Sequence, residues 1–157
     1  MTSVVNRAKL VEMLTLHEGM KLKVYDDVNG KEIRAGDTLE GHPTIGVGRN
    51  IAGDGLGITE AEAQMLLIND IMRVEKEIKD WVFMDDINEP RQAVIIDMAF
   101  NMGIVRFNSS KWPKFFQAVI DQEWDTAASE MLSSKWANQV KIRSKRLSRM
   151  MRTGEWY

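Results

Sequence analysis

Glu18 is followed nine residues later by Asp27, and then by Gly41-His42-Pro43-Thr44-Ile45-Gly46-Val47-Gly48. A helix ending in Glu-Gly runs into a short polar strand carrying Asp, and then into a Thr-Ile-Gly-x-Gly strand. Two carboxylates and a hydroxyl are thereby expected at the mouth of a small β-hairpin. Two carboxylates in unequal surroundings are what cleavage of a glycosidic bond requires. One keeps a proton for the leaving oxygen, while the other stays charged to direct water or stabilise a cation.

The elements that must position these groups are predicted by periodicity and punctuation. Leu10, Val11, Met13 and Leu14 fall at helical spacing between about Asn6 and His17, and Gly19 supplies a stop. Leu22, Val24 and Tyr25 predict a strand, and Asn29-Gly30 predicts a tight turn. Residues 31–43 are polar and hold Gly36, Gly41 and Pro43, which predicts an extended hairpin loop. Thr44 to Val47 predicts a short strand whose glycines let other groups approach the backbone. Thr59-Glu60-Ala61-Glu62 reads as a capping box opening a long helix over 60–79. Asn88-Glu89-Pro90 opens a helix with a broad apolar surface from Ala93 to Met102. Further helices are expected behind Ser109 or Ser110, around Trp124–Leu132, and from Asn138 to Arg152.

Composition narrows the function classes. The chain has 157 residues, no cysteine and two histidines, His17 and His42. Disulfides, a thiol nucleophile and a Cys-ligated metal are excluded, and a His-rich metal site is not expected. No stretch approaches the ~18 apolar residues of a membrane span, and the N-terminus does not read as a secretion signal. Residues 135–157 carry a balance of +6 on a body of −8, giving the net −2. A basic terminal segment of this kind suggests an anionic partner. No recognised DNA-binding signature accompanies it, so nucleic acid is not an expected ligand.

The chain resembles the phage lysozymes of the T-even type, glycoside hydrolase family 24. The resemblance is carried by Leu16-His17-Glu18-Gly19, Leu22-Lys23-Val24-Tyr25-Asp26-Asp27, Thr44-Ile45-Gly46-Val47-Gly48, Ile58-Thr59-Glu60-Ala61-Glu62-Ala63, Asp97-Met98-Ala99-Phe100-Asn101-Met102-Gly103, and Lys135-Trp136-Ala137-Asn138-Gln139 through Arg143, Arg146 and Arg152-Thr153-Gly154. These pieces stand in the family's order along nearly the whole length.

The resemblance implies an α+β, predominantly helical lysozyme-like fold in a single catalytic domain, residues 1–157. A small β-hairpin lobe, roughly 15–60, would be joined by helix 60–79 to a helical lobe of 80–157 plus 1–14. It implies Glu18 as general acid, with Asp27, not Asp26, keeping the family's spacing, and Thr44 helping Asp27 orient the attacking water. An inverting outcome is expected. Phe100 and Asn101 match positions lining the family's cleft, and Arg143 matches an Arg that pairs with the catalytic Glu. The implied activity is hydrolysis of the β-1,4 bond between N-acetylmuramic acid and N-acetylglucosamine in peptidoglycan, with no metal or cofactor. The implied role is that of an endolysin. It would act as a monomer, gather in the host bacterial cytoplasm and depend on a holin to reach the wall. A lytic transglycosylase and a non-catalytic wall-binding module are the rival readings.

Two departures from the family pattern stand out. Sixteen residues separate Asp27 from Thr44, many more than in the T-even members. Arg49 stands where the family has a His whose implied partner matches Asp70.

Overall fold

Strand β1 (Lys21–Asp26) is the spine of the first of two compact units, which runs through Ala63; the second spans Gln64–Tyr157. The computed structural model describes residues 6–157. The division falls inside the long helix Glu60–Ile78, and the helix Arg7–Glu18 belongs with the first unit.

In the first unit, α1 (Arg7–Glu18) is opened by Asn6, whose side chain accepts the Lys9 N–H at 3.2 Å. It is closed by Gly19 at φ 72°, a left-handed value that glycine takes without steric cost. β1 pairs antiparallel with β2 (Pro43–Gly46), and β2 with β3 (Arg49–Asn50), in the order β1-β2-β3. Tyr25 stands opposite Thr44 and Asp26 opposite Pro43.

The long connection 28–43 does not hang free of the sheet. It turns at Asn29-Gly30, where the Gly30 N–H donates to the Asp26 carbonyl at 2.8 Å, and runs back along the other edge of β1. There the Asp26 N–H donates to the Lys31 carbonyl, the Ile33 N–H donates to the Val24 carbonyl, both at 2.9 Å, and Tyr25 bridges to Glu32. The C-terminal half of β1 is thus flanked on both edges, which satisfies its backbone groups without a longer sheet.

The second unit is helical. Its parts are α2 (Glu60–Ile78, from the boundary onward), a 3-10 turn Met84–Asp86, α3 (Glu89–Met102), α4 (Pro113–Ile120), α5 (Trp124–Leu132), α6 (Lys135–Val140) and α7 (Ile142–Thr153). The capping box forms as expected. The Thr59 hydroxyl accepts the Glu62 N–H at 3.2 Å, and the Glu62 carboxylate accepts the Thr59 N–H at 2.8 Å. α3 is the core helix, burying Val94, Ile95, Met98 and Ala99 against Phe107, Phe115, Val119, Met131 and Met151. Arg91 fastens the end of α7 to α3. Its guanidinium donates to the Met151 and Arg152 carbonyls at 2.9 and 3.2 Å and stacks on Trp124 at 3.9 Å. Among the described residues no helix is long and apolar enough to cross a membrane.

Three expectations change. The terminal helix is two helices, because Lys141 at φ 47° breaks the run between α6 and α7. Helix α4 begins at Pro113 after Trp112. The serines at 109 and 110 precede it in a turn whose amides bond to Asn108. Arg49 pairs with Glu62 at 2.8 Å and donates to the Gly57 carbonyl at 3.0 Å, while Asp70 pairs with Arg73 at 3.6 Å along its own helix. Thr59 and then Arg49 hold the Glu62 carboxyl below the usual range, against the opposing pull of its partial burial.

An Arg49→His variant should therefore gain a pH dependence that the native chain lacks at this site. A histidine beside Glu62 has a raised pKa. Its stabilisation is full below the unfolded value of about 6.5 and is lost as pH rises through the folded value. Between about pH 6 and 8 melting temperatures should fall more steeply with rising pH in the variant than in the native chain; parallel profiles would contradict the pairing.

Candidate active site

The segment from His42 to Gly48 contains Thr44 and meets both carboxyl groups of the sequence-predicted centre. At its far end Gly48, at φ +70°, lies against Glu18: a Cβ placed there would stand 3.0 Å from Glu18 Oε2. Glu18 is the last residue of α1, so the helix stop at Gly19 fixes where its carboxyl emerges.

At the near end, Asp27 and His42 are bonded twice. The Asp27 N–H donates to the His42 carbonyl at 3.2 Å, and the His42 N–H donates to Asp27 Oδ1 at 2.7 Å. The same His42 carbonyl accepts the Thr44 hydroxyl proton at 3.2 Å. Asp27 is exposed and Thr44 is buried. Tyr25 stands opposite Thr44, and Asp27 follows β1 in the turn, so the shared His42 carbonyl is what links Asp27 to Thr44.

Asp26 is the residue that spacing passes over. The residue is 3% exposed, and its carboxylate accepts the N–H groups of Val28 (2.9 Å), Glu40 (2.6 Å) and Gly41 (3.1 and 3.2 Å to its two oxygens). Burial pushes its carboxyl up, but the amides of Glu40, Val28, Gly41 and Asn29 together outweigh this and hold it below the usual carboxylate range. A buried carboxylate with this many amide donors is a loop closure, not a proton donor. The signal in the sequence was the sixteen-residue connection itself, which needs something to tie its ends to the sheet. His42 gave no such signal, because it acts through its backbone, which composition does not reveal.

The remaining candidates lie in the second unit. Phe100 and Arg143 line a mostly apolar hollow of 370 Å³ together with Leu67, Ile71, Ala93, Ile96 and Asp97. Arg143 Nε donates to Asp97 Oδ1 at 2.9 Å, a partner that spacing along the chain does not suggest. Asn101 turns toward the core side of α6, where its Oδ1 accepts the Trp136 indole N–H at 2.8 Å.

The chain belongs to the phage lysozyme family, whose model matches residues 15–152. It is similar to the pre-baseplate central spike protein Gp5 of Enterobacteria phage T4, at 28% identity over 92% of this chain and 28% of that protein. It therefore spans little more than a quarter of this relative. It is also similar to the probable T4-type lysozymes 1 and 2 of Dictyostelium discoideum, at 26% and 25% identity over 94% of this chain and 95% of each.

The Asp26 assignment carries a pH prediction. A carboxylate depressed on folding stabilises above its unfolded value, about 4, and that stabilisation is lost as pH falls through the lower folded value. Melting temperature should fall as pH drops below about 4, and Asp26→Asn should flatten part of that slope. An unchanged slope between about pH 2 and 5 would contradict the assignment.

Proposed function

We propose that this chain is a muramidase. It hydrolyses the β-1,4 bond between N-acetylmuramic acid and N-acetylglucosamine in peptidoglycan, with Glu18 as general acid and Asp27 and Thr44 directing the water. The observation that carries this reading is the reach of one short segment, His42–Gly48, from the Asp27 carboxylate at one end to the Glu18 carboxyl at the other. The family match spans the same residues, and two similar proteins are named as lysozymes.

The hydrogen-bond directions suit hydrolysis. Thr44 gives its proton to the His42 carbonyl, so its oxygen serves as an acceptor. A water whose hydrogens are accepted by Asp27 and Thr44 presents a lone pair outward, to the anomeric carbon. Glu18 protonates the leaving oxygen and Asp27 takes the proton from water, so the chemistry needs only side chains and water. In the second unit, Phe100 offers a partly exposed ring beside the hollow, and Arg143 a fixed guanidinium. Asn101, its oxygen held by Trp136, offers Nδ2 hydrogens to a sugar amide. The role proposed is that of an endolysin, acting as a monomer and released from the host cytoplasm to the wall through a holin.

The test is clearance of purified peptidoglycan followed by mass spectrometry of the products. Wild type should clear the suspension, whereas Glu18→Gln and Asp27→Asn should slow it by about 10²- to 10⁴-fold while still binding the wall. Released fragments should carry hydrated reducing ends. Anhydro-muramyl ends would replace the hydrolase with a transglycosylase, and full activity in both variants would remove the assignment.

A further inference from the structure

We propose that Asp26 is a positioning residue for catalysis, setting the place of the Asp27 carboxylate through the loop 28–43. This rests on the reading of Asp27 as the group that directs water.

Three observations lead from one carboxylate to the other. First, Asp26 is buried and tied to the loop's far end, at the Glu40 and Gly41 amides. Second, Gly41 packs against Asp27 so closely that a Cβ there would overlap Asp27 Oδ1, and would stand 2.6 Å from Val28 Cγ2 and 3.0 Å from Asp26 Oδ1. Third, the next residue, His42, gives its N–H to Asp27 Oδ1 at 2.7 Å and its carbonyl to both the Asp27 N–H and the Thr44 hydroxyl. The stretch 40–42 is therefore held by Asp26 on one side and holds Asp27 and Thr44 on the other.

Releasing the Asp26 end frees the backbone that carries the donor to Asp27. The chemistry at Glu18 is not touched by this change, because Glu18 meets the segment at Gly48. Substrate contacts made by the second unit are likewise not addressed by Asp26. The expected signature is a fall in turnover with little change in apparent affinity, and it should vanish when Asp27 can no longer act.

The experiment is a double-mutant cycle on soluble wall fragments with the full chain: wild type, Asp26→Asn, Asp27→Asn and both together. Asp26→Asn should lower kcat about 10- to 100-fold, the scale of an ångström-level misplacement, with KM nearly unchanged. Amide exchange at Glu40, Gly41 and His42 should speed up. The double variant should be no slower than Asp27→Asn alone, because the first change acts only through the second group. If Asp26→Asn does not fold, Asp26→Glu keeps the test, since it retains a carboxylate but displaces it from the Glu40 and Gly41 amides; it too should lower kcat and add nothing to Asp27→Asn. Native kcat in these variants, or losses that multiply in the double variant, would overturn the role of Asp26 and leave Asp27 standing. Full activity in Asp27→Asn would overturn the reading of Asp27 itself, and this proposal with it.

Discussion

Backbone amides converging on a single buried carboxylate set the geometry of the first unit. A sixteen-residue excursion between the two halves of a hairpin has no reason of its own to return in register. Asp26 supplies one, because its oxygens accept N–H groups from residues at both ends of the excursion. Burying a charge costs free energy unless its lone pairs are filled, and the loop fills them. The loop thus satisfies Asp26, and Asp26 closes the loop. The consequences of that closure are local: Gly41 sits against Asp27, His42 bonds it twice, and β2 begins in the register that sets Thr44 opposite Tyr25.

Polar chemistry in this unit is organised by backbone more than by side-chain pairs. One carbonyl, that of His42, serves both Asp27 and Thr44, and one glycine, Gly48, makes room for Glu18. Such an arrangement tolerates little change in backbone and much change in sequence. The second unit works by different means. Its order comes from buried apolar surface on α3, from tilted and edge-on rings around Phe107 and Phe116, and from Arg91 meeting the carbonyls at the end of α7.

The sequence announced elements whose causes are local. Gly19 ends α1, Thr59 and Glu62 open α2, and Pro90 follows the Asn88 cap of α3, each by chemistry contained within a few residues. It did not announce the break at Lys141, since a lysine carries no signal for positive φ and the charges on either side read as one helix. Nor did it show the Arg49–Glu62 and Arg143–Asp97 pairs, which join residues 13 and 46 positions apart. Asp26 and Asp27 are the clearest case. Spacing selects the second by resemblance, but only the fold shows that the first is buried and saturated with amides, while its neighbour stays exposed.

Catalysis of the proposed kind requires an acid and a water-directing pair to cooperate in one displacement at the anomeric carbon. Proton NMR of the reducing ends during the first moments of cleavage measures this directly. Attack by a water on the face opposite the leaving group predicts that newly formed ends appear first as the α-anomer and then mutarotate. Initial release of the β-anomer would show that no single water displacement occurs and would contradict the roles of Asp27 and Thr44.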